Sequence, residues 1–170
     1  MNTQVAINNN QVRRLVYISL LIGLSAVGSY IKIGFYSIAF DSLPGYFAAI
    51  FLGPAAGAIV GSFGHLLTAL TSGFPLTVPL HLVIAVGMGL TCYAFGFVYK
   101  KFNPIIAIIV AVILNGPGLA LVTAPISAWL ELPLNGMALY SVIIIPLIIA
   151  SAANVILAYV LYKLISKRLG

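Results

Sequence analysis

Residues 41–81 read DSLPGYFAAIFLGPAAGAIVGSFGHLLTALTSGFPLTVPLH, and the fold depends on how this stretch divides. It holds Asp41, one of two acidic residues in the chain, and both histidines, His65 and His81. Their neighbours are mostly small or apolar residues, with Gly and Pro between them. An ionisable group in such a setting is costly in hydrocarbon unless it faces a partner, a ligand or water. From Leu43 to Ser72 the apolar run is either one long helix or two shorter ones. Gly53-Pro54 lies inside it, and Pro after Gly breaks a helix or opens the next.

Composition sets the solvent. Of 170 residues, 62% are hydrophobic and 6% are charged, and the mean hydropathy is +1.18. A soluble domain carries about 25% charged residues. The chain therefore reads as an all-α integral membrane protein, a single bundle forming one domain over residues 1–170. The polar start, MNTQVAINNNQ, lacks the basic, apolar and cleavage regions of a signal peptide. Residues 1–12 are expected to form a polar cytoplasmic tail. The net charge of +6 would suggest nucleic acid for a soluble protein. Here no nucleic-acid partner is expected, and the charge reads as topology in the lipid bilayer.

Charge then decides between one helix and two. Lys and Arg are retained on the cytoplasmic side of membrane proteins. With two helices in the 43–72 run there are six transmembrane helices. Arg13, Arg14, Lys100, Lys101, Lys163, Lys167 and Arg168 then share one side, and only Lys32 lies on the other. With one helix, Lys100 and Lys101 fall opposite Arg13 and Arg14. The six-helix, N-in/C-in arrangement is therefore expected. Its helices are placed at about 14–31, 43–53, 55–72, 79–99, 104–124 and 137–163. The linker IGFYSIAF is expected to fold back over the helices. The segment APISAWLELPLNG is expected as an outer loop. No repeat of useful length and no low-complexity tract is found.

Several features bear on function. Gly57, Gly61, His65 and Ala69 recur every four residues and share a helix face. Small residues at that spacing allow close helix packing in lipid; His65 either bonds a neighbouring carbonyl there or points into a cavity. Asp41 either binds a ligand or, as Ser42 also could, caps the second helix. His81 is either interfacial or part of the same site. In the six-helix reading Asp41, His65, His81, Lys32 and Glu131 all lie toward the outer side. So do the aromatic residues Tyr30, Phe35, Tyr36, Phe40, Phe74, Trp129 and Tyr140, which form an interfacial belt or, on loops, stack on a flat ligand. Asn115-Gly116-Pro117 sits at mid-depth of the fifth helix. Should the outer polar cluster be structural, the pocket is sought around Asn115, Tyr140 and Asn154.

Ser19, Gly23 and Ala26 give helix one a small-residue face for docking, within the bundle or to another subunit. Cys92 is alone, so no internal disulfide or Cys metal site is expected, and it reads as a small buried side chain. His65, His81 and Asp41 lack short ligand spacing, so no metal is expected. No nucleophile motif and no Walker motif is present, so no catalytic residue, cofactor or ATP hydrolysis is expected of this chain.

A chain of this length, with six helices and a small-residue face on helix one, resembles the S components of energy-coupling factor (ECF) transporters. These are the membrane vitamin-capture subunits of ECF-type importers. The matching stretch runs from Phe40 to Met88 and looks most like S components assigned to α-ribazole, a cobalamin precursor of dimethylbenzimidazole and ribose. The resemblance implies a bacterial cytoplasmic membrane protein that is not an enzyme. It implies a transmembrane coupling subunit and two ATPase subunits as partners, and a ligand near the outer surface. The family's helix-one signature is an Ala-x-x-x-Ala type motif; here Ser19 and Gly23, with Ala26, occupy the comparable face. The substrate-binding residues expected are Asp41, His65, His81, Asn115, Tyr36, Phe74, Trp129, Tyr140, Lys32 and Glu131. An S component for another vitamin, such as pantothenate, and an intramembrane enzyme or proton-coupled carrier are the rival readings.

Overall fold

The computed structural model describes residues 9–31 and 39–169. Its regular elements are helices: α1 (Asn9–Gly28), α2 (Leu43–Phe51), α3 (Pro54–Thr71), α4 (Val78–Lys101), α5 (Pro104–Ile113), a π-helical turn (Leu114–Gly118), α6 (Leu119–Trp129) and α7 (Gly136–Leu169). The break expected at Gly53-Pro54 is present. Gly53 adopts φ 107°, which favours glycine, and Pro54 is the first residue of α3. Among the described residues, five helical stretches are long and apolar enough to cross a membrane, with Pro104–Trp129 acting as one. At nine residues, α2 is roughly 13.5 Å long, against a hydrocarbon core of about 30 Å.

Three boundaries differ from expectation. Residues 9–12 are already helical, as part of α1. Residues 124–129, expected as the start of an outer loop, continue α6 through Pro125. Such a proline is tolerated in an apolar helix when neighbouring groups re-satisfy the backbone; only residues 130–135 connect α6 to α7. That connection is tied down by Gly136 N–H donating to Ser127 Oγ at 3.0 Å and Asn135 Nδ2 donating to the Leu132 carbonyl at 2.7 Å. The last helix runs to Leu169, beyond the expected 163. The π-helical turn holds Pro117, which has no N–H to give, and the wider turn takes it up.

Small residues set the packing. A Cβ on Gly57 would collide with the backbone and side chain of Ala49, so α2 and α3 form a close hairpin. A Cβ on Gly61 would lie 2.7 Å from Cys92 Sγ, and one on Gly45 would lie 3.0 Å from the same sulfur. Thus α2, α3 and α4 meet at one point, and Cys92 is the small buried side chain expected. A core of Tyr46, Ile50, Phe95, Ala111 and Val155 surrounds that point. A second core gathers Leu76, Leu80, Ala120, Leu139 and Ile143. Lys100 Nζ lies near the α2–α3 turn, 3.4 Å from where a Gly53 Cβ would sit. So α2 returns the chain to the end of the bundle that carries Lys100, while the α3–α4 turn closes the opposite end.

Candidate functional site

The α3–α4 turn brings the two histidines together. Phe74 N–H bonds the Ala69 carbonyl at 2.8 Å and Thr77 N–H bonds the Phe74 carbonyl at 2.9 Å. Positive φ at Gly73, Phe74 and Thr77 makes the reversal tight. His65, near the end of α3, then faces His81 in the first turn of α4. His65 Nε2 lies 3.1 Å from His81 Nδ1, with ring centroids 5.3 Å apart. On its other side, His65 Nδ1 lies 3.6 Å from Asp41 Oδ2. That is an ion-pair distance, too long for a hydrogen bond.

The three side chains thus form a row from the α1–α2 connection through α3 to α4. All are buried, His81 completely. With a neutral His65 holding its Nδ1 proton toward the carboxylate, its Nε2 accepts from His81 Nδ1–H. His81 Nε2 is then a bare acceptor, and it is buried with no hydrogen-bond partner.

Asp41 and His65 open onto a cavity of about 70 Å³, smaller than the roughly 300–1,000 Å³ of typical ligand pockets. Its apolar walls are Leu76, Ile84, Met88, Leu119, Ile143 and Leu147, and its polar lining is Asp41, Ser42, His65, Asn115, Thr123 and Asn154. No Lys or Arg is among the described lining residues, so Asp41 is the one carboxylate of the wall and His65 its basic neighbour.

Asn154 is occupied by the protein itself. Its Oδ1 accepts from Leu43 N–H at 2.8 Å, and its Nδ2 donates to the carbonyls of Ala39 and Ala150 at 3.0 and 2.8 Å. It pins the start of α2 to α7 and so holds Asp41 in place. The helix cap that Asp41 or Ser42 was a candidate for is supplied by this asparagine from across the bundle; Ser42 makes no side-chain cap bond. Asn115 is different. The π-helical turn rotates it inward, where it is buried and lines the cavity. Helical widening of this kind is frequent at functional sites.

Of the other expected site residues, Phe74 packs edge-on against His81 with centroids 5.7 Å apart, outside the cavity lining. Tyr140 is half-buried against the second core. Trp129 is 82% exposed at the end of α6. Glu131 is exposed in the α6–α7 turn, at φ 51°. Lys32 and Tyr36, with Phe35, lie outside the described residues. On α1, Ser19 and Gly23 point outward, Ala26 is half-buried, and a Cβ on Gly23 would meet nothing within 4 Å. The buried residues of α1 are Ile18 and Ser25, so the small face is left unpacked by the bundle.

Ser42 and Thr123 were not anticipated in the lining. Ser42 sat beside Asp41 as a helix-start residue, and Thr123 had no distinguishing pattern in an apolar run.

A family model described as "ECF transporter, substrate-specific component" matches residues 13–166. No curated protein matches the chain. A solved structure described as the S component of a bacterial ECF transporter superposes with a TM-score of 0.66 at 24% sequence identity, covering 94% of this chain and 98% of that one. At that identity the superposition speaks for the shared fold.

Proposed function

The chain belongs to the family of ECF transporter substrate-specific components, and we propose that its cavity captures an uncharged vitamin precursor, α-ribazole, for delivery into a bacterial cell. ECF substrate-specific components are membrane-embedded and work with an ECF module, so this chain is a transport subunit and not an enzyme. The observation that carries the substrate reading is the wall: aliphatic side chains, one carboxylate, and no described Lys or Arg. An anion brought there would leave its charge unpaired, which is costly away from water. A flat benzimidazole would lie between the Leu, Ile and Met side chains once the cavity widens to admit it. Ribose hydroxyls give Asp41 hydrogen bonds to accept and give His65 and Asn115 partners.

The working arrangement has six crossings, with both termini in the cytoplasm and the cavity opening outside. What supports it is the position of Lys100 at the end of the bundle opposite the histidine pair. A coupling subunit would dock on the outward Ser19–Gly23 face, and two ATPases would drive reorientation and release. Cysteines placed at Lys101 and Trp129 are expected to label from opposite sides of the membrane; labelling from one side refutes the topology.

The substrate is tested by calorimetric titration of the purified chain. α-Ribazole is expected to bind at least about a hundredfold more tightly than pantothenate, a difference of about 2.7 kcal/mol. Tighter binding of pantothenate, weakened by Lys32→Ala, would replace this reading with that of an anion-capturing component.

A further inference from the structure

Every described Lys and Arg of the chain lies at one end of the bundle, and a series of ring contacts fixes that placement. Tyr17 on α1 meets Phe51 at the end of α2 with centroids 5.7 Å apart, and Phe51 meets Phe47 at 5.5 Å. Phe47 meets Tyr162 on α7 at 6.4 Å, and Tyr162 and Tyr159 each meet Tyr99 on α4 at 6.2 Å. Arg13 and Arg14 lie one turn before Tyr17, Lys100 and Lys101 follow Tyr99, and Lys163 follows Tyr162, with Lys167 and Arg168 a turn beyond. All are exposed, and none makes an ion pair among the described residues. The two acidic side chains of the chain lie elsewhere, Asp41 beside the histidines and Glu131 in the turn that opens α7. Lys101 Nζ rests 5.7 Å from the Phe97 ring and 6.0 Å from the Phe102 ring, and Lys163 Nζ rests 5.9 Å from the Tyr159 ring. A stem laid on apolar surface with its charge at the edge is the posture of Lys at a membrane–water boundary, where Tyr is also enriched. The helix dipole favours Lys100, Lys101, Lys167 and Arg168 in the last turns of α4 and α7. Arg13 and Arg14, which follow the first turn of α1, gain nothing from it.

We propose that this ring of cations binds anionic phospholipid headgroups, and that an open depression on α7, lined by Lys163, Leu164, Ser166 and Lys167, seats one phosphodiester. Lys163 and Lys167 are one turn apart and bring two ammonium groups to one phosphate, a pairing that favours charge-assisted hydrogen bonds. Basic clusters beside membrane helices attract anionic lipid by about fivefold per cation. Lipid fits better than an acidic protein surface for two reasons. The cations are spread over α1, α4 and α7 rather than gathered in one patch. Beside them on the same helices, Leu15, Val16, Phe97, Phe102, Leu164 and Ile165 are exposed. A phospholipid brings phosphate and acyl chain together and covers both kinds of group; an acidic protein face would leave the apolar ones bare. The inference rests neither on the substrate of the cavity nor on which leaflet this end meets.

The test reconstitutes the full chain in phosphatidylcholine vesicles containing spin-labelled phosphatidylglycerol or spin-labelled phosphatidylcholine, and reads the share of each lipid held against the protein. The parent is expected to prefer phosphatidylglycerol by about fivefold or more at low salt. At about 1 M salt, where the screening length is about 3 Å, the preference should fall toward parity. The double variant Lys163→Gln, Lys167→Gln should lose at least about half of the preference while melting like the parent. Parity for the parent at low salt overturns the proposal. So does a preference that survives high salt, since charge would not be its source; this arm needs no variant and decides even where the double variant fails to fold. An unchanged preference in a folded double variant overturns the seat on α7. Competition by excess inorganic phosphate at constant ionic strength would assign that seat to a free anion instead. Parity in the parent, together with failed assembly of the double variant with its coupling subunit, would assign the cations to an acidic protein surface.

Discussion

The junction of α2, α3 and α4 and the cavity beside it are built from the same apolar vocabulary, yet one is closed and the other hollow. At the junction the facing residues are Gly45, Ala49, Gly57, Gly61 and Cys92, and backbones touch. At the cavity they are Leu76, Ile84, Met88, Leu119, Ile143 and Leu147, with polar groups set among them. In lipid no hydrophobic force draws one helix to another, because the tails are as apolar as leucine. Close approach must come from small side chains. Where they give way to long ones, space remains, and buried polar groups there are available to something other than the protein.

The largest effect is expected from breaking the closed region. Gly61→Leu would drive a side chain into Cys92 Sγ and the Met88 carbonyl, whose distances from a Gly61 Cβ are 2.7 and 3.2 Å. A carbonyl in a helix cannot step aside, so a loss of about 3 kcal/mol or more is expected. Melting curves read it, and an unchanged midpoint would mean that the junction is not close-packed. Gly23→Leu is the control on the same kind of residue. Nothing lies within 4 Å of its Cβ position, so stability and ligand binding should hold while assembly with the coupling subunit and transport fail. Full transport by this variant would remove α1's small face from the interface.

The smallest effects belong to the hollow region. Asp41→Ala and His65→Ala are each expected to weaken α-ribazole binding about tenfold, or about 1.4 kcal/mol. Truncating one buried partner strands the other, at a cost of about 1–3 kcal/mol. His81→Ala should cost less, because His81 reaches the cavity only through His65. A lowered melting point with unchanged affinity in all three variants would make the row structural and erase the contrast between the two regions.

Reading the chain found the row's members but not their order along the row. Asp41, His65 and His81 stand out because ionisable groups are rare here, and they do converge. That His65 lines the cavity while His81 backs it depends on helix rotation. Asn115 was legible through its Gly-Pro neighbours. Asn154 was visible as a polar residue, but its three bonds to Leu43, Ala39 and Ala150 were not. Trp129 drew attention as a loop aromatic and proved to be the exposed end of α6.

What the sequence determined by itself was the membrane environment and the helix break at Gly53-Pro54. Each follows from a cost paid residue by residue: desolvation of charge and the missing N–H of proline. Which side of each helix faces the protein was decided only by the tertiary structure. A soluble helix announces its buried face by apolar periodicity. Here lipid and core are both apolar, so α5 and α7 carry Ile and Val on every face. The inward positions of Tyr46, Asn115 and Ser151 were therefore set by how the glycines let the helices close and where the π-helical turn rotated the chain.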